Sequence, residues 1–238
     1  MTALVTALRK LPADFATIKL SLARRKRIVT YFEATKCRKL QIGCGKNILP
    51  GWLNCDFAPS SPQAVYLDAT SRFPLADESV DFIFSEHMIE HVPYAAGQRM
   101  LRECFRVLKP GGTIRISTPN LRNIASLMSE PLTQEKQFYI RTATDKYIPD
   151  NSRYLPGFVM NNFYWDFMHY FIYDPETLTQ AFETAGFRHA QKMSSGMGSV
   201  PELSGLESHA KIVGAKLDEF ESMIFEATKE AQITGAAG

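Results

Sequence analysis

The stretch Arg38-Lys39-Leu40-Gln41-Ile42-Gly43-Cys44-Gly45-Lys46-Asn47 reads as a strand running into a glycine turn. Gly43 and Gly45 let the backbone bend sharply and approach a ligand where a side chain would collide. A plain tight turn is the simpler reading of Gly-x-Gly alone. The next two apolar runs, however, each end on an acid: Trp52-Leu53-Asn54-Cys55 leads to Asp56, and Val65-Tyr66-Leu67 leads to Asp68. In a parallel sheet both carboxylates stand at the same edge as the glycine turn, where open α/β sheets bind ligands. The first acid there can accept both hydroxyls of a ribose. A fourth run, Val80-Asp81-Phe82-Ile83-Phe84-Ser85, delivers Glu86 and His87 to that edge.

Five histidines could move protons. His87 is at the ligand edge, and His91 falls one helical turn on, in a packing or capping position. His169 sits in an aromatic-rich segment just before the helix start Asp174-Pro175. His189 falls on the exposed face of a sixth strand, and His209, with Glu207, lies in a connection that can fold over the mouth of the site. His169 is the first candidate base and His87 the second.

The elements that position these groups follow in order. Leu4, Leu8, Leu11, Phe15, Ile18, Leu22, Ile28, Val29 and Phe32 recur at helical spacing over residues 2–34, with a break at Pro12. Only ten residues separate Gly45 from Asp56, and Pro50-Gly51 punctuates them, so the first crossover must be a loop or a single turn. A dinucleotide fold needs a whole helix there, which argues against NAD and FAD. A helix is expected over about 95–108, stopped by Lys109-Pro110-Gly111-Gly112, then a β-branched strand over 113–118. Asp174 as N-cap, Pro175 at the first position and Gly186 as the stop bracket another helix. Runs at 187–193 and 220–227 read as the last two of seven strands. Residues 120–173 form an aromatic-rich insertion that carries, among others, Phe138, Tyr139, Tyr147, Tyr154, Phe158, Trp165 and Tyr170. It is expected to be a lid or acceptor wall, with extra core packing as the alternative.

The 238 residues suit one well-buried domain with additions. Residues 1–40 carry ten Lys/Arg against Asp14 and Glu33, a net +8, and leave −6 for the rest of a chain whose total is +2. The basic arm could meet an anionic surface through residues 9–39 or pack on its own domain. Cys37, Cys44, Cys55 and Cys104 form no Cys-x-x-Cys pair and lack metal spacing, so a reduced, cytoplasmic protein with no metal is expected. No apolar run reaches the ~18 residues of a membrane span, so no transmembrane segment is expected, and peripheral contact at the inner membrane stays open.

Leu40 to Asn120 resembles the class I S-adenosylmethionine-dependent methyltransferases. The likeness rests on Gln41-Ile42-Gly43-Cys44-Gly45, Asp56, Asp68, the block from Phe73-Pro74-Leu75 to Ile83, and the block from Leu101-Arg102-Glu103 to Gly111-Gly112. More narrowly, Leu49-Pro50-Gly51-Trp52-Leu53-Asn54, His169-Tyr170, Phe182 to Phe187 and Leu206-Glu207-Ser208-His209 look like a bacterial group often associated with cell-surface polysaccharide loci. The resemblance implies an α/β Rossmann-like seven-stranded sheet with helices on both faces and a shortened first crossover. It divides the chain into a basic helical extension (1–36), a methyltransferase domain (37–230) and a tail (231–238) expected to be flexible. It also implies that Gly43, Cys44 and Gly45 pass under the methionine and ribose of S-adenosyl-L-methionine. Asp56 would take the ribose hydroxyls, Asp68 with Ala69 the adenine, and Ser85, Glu86 and His87 the methionine end. Gln41 stands where the family usually has an acid, and Asn47 where a third glycine is frequent.

The expected activity is methyl transfer to an O or N atom of a small-molecule or glycan-type acceptor. The alternative is a non-catalytic cofactor-binding or assembly subunit that docks through its basic helices. DNA is not an expected partner: Ser85-Glu86-His87-Met88 is not the Pro-Pro-aromatic loop of amino-directed DNA methylation, and no activated thiol serves C5 chemistry.

Overall fold

The computed structural model describes residues 15–149 and 153–231, so the helix break expected at Pro12 and the Gly235–Gly238 tail lie outside the described residues. Seven strands form one sheet: β1 Lys39–Ile42, β2 Leu53–Asp56, β3 Val65–Tyr66, β4 Val80–Glu86, β5 Leu108–Pro119, β6 Arg188–Met193 and β7 Ser222–Thr228. Their order is β3-β2-β1-β4-β5-β7-β6. The pairs from β3 through β5 are parallel, whereas β7 runs antiparallel to both β5 and β6. This is the α/β architecture expected, and its carboxyl edge carries Ile42, Asp56, Glu86 and Pro119.

Helix α1, Phe15–Ala34, packs Ile28, Tyr31 and Phe32 against the core. Within its basic cluster, Arg27 donates to the Ala64 carbonyl at 2.6 Å and Arg24 lies over the Tyr66 ring, while Arg25 and Lys26 face solvent. Half of the cluster therefore covers the β3 edge, and half remains a charged surface. No helix among the described residues is long and apolar enough to cross a membrane.

The first crossover has no helix. Asn54 holds it instead, accepting the Leu49 amide at 2.9 Å and donating to the carbonyls of Leu49 and Trp52. One side chain thus satisfies the backbone of a tight loop that has no ladder of its own.

Helix α2, Tyr94–Val107, buries Met100, Leu101 and Cys104 against the sheet. Its Arg106 bonds Glu103 and Asp77 (both 2.6 Å) and the carbonyls of Phe73 and Leu75, while Glu103 accepts the Phe73 amide. The two sequence blocks at 73–83 and 101–112 are therefore the two sides of one clamp. Strand β5 begins at Leu108, five residues earlier than expected, because Lys109-Pro110-Gly111-Gly112 runs into the strand rather than forming a separate stop. Gly112 is required there, since a Cβ would lie 2.7 Å from the Asp81 carbonyl oxygen.

The insertion folds as α3 Leu121–Ala125, α4 Gln134–Tyr147 and α5 Pro156–Asn161, followed by a π-helical turn over Asn162–Asp166. It has its own core, in which Ile124, Tyr139, Ile140, Val159 and Phe163 meet Leu217 and Phe220. Its aromatics divide: Tyr139 and Phe163 are buried, whereas Trp165 is 76% and Tyr170 65% exposed. Helix α6, Pro175–Ala185, has the expected Asp174 capping box and a left-handed Gly186. Between β6 and β7 lie α7 Ala210–Val213 and α8 Ala215–Glu221, so Phe220, expected in the last strand, closes a helix. Strand β7 starts at Ser222 because Phe220 is drawn into the insertion's core.

Candidate active site

The cavity beside the glycine turn has a volume of about 430 Å³ and is lined by Gly43 through Asn47, Glu86, His87, Ser208, His209, Lys211 and Ile212. Its floor is the turn itself. Gly43 has φ +71°, and a Cβ there would fall 2.5 Å from Met88 Cγ, so both backbone conformation and space demand glycine. Around Gly45 no atom would meet an added Cβ, which leaves that side of the turn open.

Asp56 accepts the Gly45 amide at 2.8 Å through Oδ2 and the Ala58 amide at 2.8 Å through Oδ1. It orients the turn and, with two lone pairs on each oxygen, still has capacity for vicinal hydroxyls. Asp68 caps the next loop through the Thr70 amide and the hydroxyls of Thr70 and Ser71, with Ala69 partly buried beside it. Cys44 is buried in the turn, and burial pushes its thiol up to about 11, so it stays protonated and un-nucleophilic near neutral pH.

The opposite wall comes from the β6–β7 connection. Glu86 accepts the Ser208 amide (2.7 Å), the Ser208 hydroxyl (2.8 Å) and the His209 amide (2.9 Å). Asn47 Nδ2 donates to the Leu206 carbonyl, so the residue in place of a third glycine fastens the same segment. Deeper anchoring comes from Arg115, which is fully buried and pairs with Glu207 at 2.5 Å and Glu226 at 2.7 Å. Each of those acids also accepts an amide from the connection, Gly196 and Ser199 respectively. The β-branched run at 113–118 hid Arg115 in sequence; a lone arginine inside an apolar strand was the one available signal.

Two imidazoles stack on this wall, His87 on His209, with ring centroids 3.6 Å apart. A glutamate backs each. His87 Nδ1 lies 3.2 Å from Glu90 Oε1 and its Nε2 3.0 Å from Ser222 Oγ. His209 Nε2 lies 2.9 Å from Glu221 Oε1, and the other Glu221 oxygen accepts the Tyr139 hydroxyl. Burial alone would push His87 down, but the carboxylates of Glu90, Glu221 and Glu86 outweigh it and hold His87 above its ordinary value. Glu90, wholly buried, is held below the ordinary carboxylate range by His87 despite the opposing effect of burial.

The structure thus gathers Gly43, Cys44, Gly45, Glu86 and His87 around one cavity and sets Asp56 against its floor. Ser85 is buried outside the lining, and His169 also stands apart from it, near Glu90 and His91. Burial lowers His169 to about 4. His209 enters the lining, whereas Glu207 turns away to Arg115. A larger cavity, about 540 Å³, lies between the end of β6 and residues 210–224 and contains neither the glycine turn nor Asp56.

Residues 40–116 match the family described as "Methyltransferase domain". The chain is similar to a protein described as a probable S-adenosylmethionine-dependent methyltransferase of Mycolicibacterium smegmatis, 46% identical over 50 residues, which are 21% of this chain and 19% of that protein. A protein of the same description from Mycobacterium tuberculosis is 30% identical over 117 residues, covering 41% of this chain and 42% of the relative. The chain therefore matches less than half the length of these curated relatives. Among solved structures, a SAM-dependent methyltransferase from Archaeoglobus fulgidus is 21% identical with a TM-score of 0.48, covering 89% of this chain and 94% of that one. Phosphoethanolamine N-methyltransferase 2 of Haemonchus contortus, solved with S-adenosyl-L-methionine, is 16% identical with a TM-score of 0.45, covering 88% and 52%. The matched segment is the one that carries the glycine turn, Asp56, Asp68 and Glu86.

Proposed function

We propose that the chain transfers the methyl group of S-adenosylmethionine to an O or N atom of a small-molecule or glycan-type acceptor. The observation that carries this reading is the cavity formed between the open glycine turn, with Asp56 beneath it, and the stacked His87–His209 pair. The cofactor's ribose hydroxyls fit Asp56, and its methionine end fits the Gly43–Gly45 backbone facing Glu86 and His87.

The reaction is an in-line displacement. A lone pair of the acceptor O or N attacks the sulfonium methyl, the carbon–sulfur bond breaks, and S-adenosylhomocysteine leaves. Alignment contributes most of the acceleration, up to about 7–11 kcal/mol in well-ordered cases. The acceptor's proton goes to a base, which adds roughly 100–10,000-fold. We assign that role to His209, whose Nε2 is held by Glu221 and whose Nδ1 has no hydrogen-bond partner among the described residues. His87 has partners at both ring nitrogens and supports His209 from beneath. The glycan class of acceptor draws on the narrower resemblance and on the exposed Trp165 and Tyr170, whose flat faces suit stacking on a sugar.

Thermal-shift and calorimetric titration with S-adenosylhomocysteine tests the reading, with NAD as a control. At a ligand concentration about 100-fold above Kd, linkage gives ~2.7 kcal/mol of added stability. Asp56→Ala should remove the response. A response to NAD, or none to S-adenosylhomocysteine, would refute the cofactor assignment.

A further inference from the structure

Behind His87 the chain forms a single 3-10 turn, Ile89–His91, whose backbone gathers a second set of side chains. The Glu90 carbonyl accepts the amides of Tyr170 at 2.8 Å and Phe171 at 3.2 Å, which draws His169 alongside Glu90 and His91. One ligand-capable atom from each of Glu90, His91 and His169 lies within 4.8 Å of the other two. We propose that these three residues form a binding site for a divalent first-row transition cation, of the Mn²⁺ to Zn²⁺ kind.

Three features point to a cation rather than to a purely internal polar cluster. First, His169 Nδ1 is buried with no hydrogen-bond partner among the described residues, and a buried polar atom left unpaired is costly unless something else satisfies it. Secondly, His91 Nδ1 lies 3.3 Å from the Met168 carbonyl, and a proton donated there leaves the Nε2 lone pair for a metal. A ligand imidazole commonly carries such an outer contact, which fixes its tautomer and orientation. Thirdly, Glu90 is fully buried and is itself held from outside, by the Thr118 hydroxyl at 3.0 Å and by His87. Two imidazoles and one carboxylate suit borderline divalent metals and leave further coordination positions open. The exposed side of His91 gives those positions access to solvent.

A second trio, His87, His209 and Asp218, has ligand atoms equally close together. There His87 already has partners at both ring nitrogens, Glu90 at Nδ1 and Ser222 at Nε2, so the trio lacks one of the lone pairs a cation needs. If the methyltransferase reading holds, an acceptor hydroxyl could occupy one of the open positions at the Glu90 site, and this extension rests on that reading. Cation binding itself does not.

The test uses the full chain, chelator-treated and without an affinity tag. Co²⁺ titration followed by visible d–d absorption, with Zn²⁺ competition by calorimetry, should show one equivalent bound. His91→Ala and His169→Ala should each weaken it at least about tenfold, a loss typical of perturbed metal sites, while His189→Ala should not. His91 is exposed, so its variant keeps the fold; circular dichroism checks each protein, and Glu90→Gln gives a near-isosteric third variant. Absence of Co²⁺ binding, or binding indifferent to His91 and His169, overturns the proposal. S-adenosylhomocysteine titrated into the same samples separates the two readings, because either ligand can bind without the other.

Discussion

On the β3-β2-β1-β4 side of the sheet, the contacts that shape the cavity are short in sequence: Asp56 reaches back 11 residues to Gly45, Asn54 reaches 5 to Leu49, and Asp68 reaches 2 to Thr70. On the β5-β7-β6 side they are long: Arg115 to Glu226 spans 111 residues, Glu86 to Ser208 spans 122, and Asn47 to Leu206 spans 159. The first set can form as each strand and turn forms. The second closes only when the whole sheet is in place, and it relies on buried charge. One wall of the cavity is therefore written into local sequence, and the other is recruited from a distant connection by polar anchors.

The distant wall depends most on Arg115, buried between two acids. Arg115→Ala leaves Glu207 and Glu226 buried without their partner, and a loss of about 3–5 kcal/mol in denaturant unfolding is expected. Replacing all three with apolar residues of similar volume should recover much of it, because the desolvation cost disappears with the charges. Glu86→Ala acts on the same wall with a smaller effect, about 1.5–3 kcal/mol for hydrogen bonds to a charged group. Hydrogen-exchange protection should fall at Ser208 and His209 while β1 and β2 keep theirs. Protection lost equally on both sides of the sheet would mean that the two walls are not separable.

On the locally built side, Gly43→Ala should cost about 1–3 kcal/mol for a left-handed non-glycine residue, and more through the clash with Met88. Met88→Ala in the same chain should return the clash component and leave the backbone component, which a double-mutant cycle would read. The smallest effect is expected far from the cavity, where Asp174→Ala removes an N-cap worth about 1 kcal/mol. Hydrogen bonds from the Thr177 amide and hydroxyl hold the Asp174 carboxyl below the ordinary aspartate range. Its contribution is therefore fully present above that range and is lost as pH falls through the lowered value, so the variant's deficit should shrink in acid.

Much of the ligand edge was legible in the residues. Gly43, Gly45, Asp56 and the ten-residue spacing that forbids a crossover helix gave the strand-turn edge and its short first connection, because turns and strand ends obey local rules. The Asp174 cap and Gly186 stop were equally local. The strand start at Leu108 and the helical state of Phe220 were not, since each depends on a partner elsewhere: the edge of β4 for one, the insertion's core for the other. The insertion's aromatics could not be divided into core and surface by type, because Tyr139 and Tyr170 look alike until Glu221 is seen beside the first.

Periodicity, turn chemistry and spacing, which operate over a few residues, were enough to read the succession of strands, the short first connection and the glycine-and-acid edge from the chain, while the seven-stranded sheet was what the resemblance implied. The tertiary structure alone decided which histidines share a wall, that Glu86 fastens the connection opposite the turn, and that His169 stands with Glu90 and His91. Those placements arise from burying charge and imidazole against groups more than seventy residues away, and pairings at that distance leave no periodic trace in the chain.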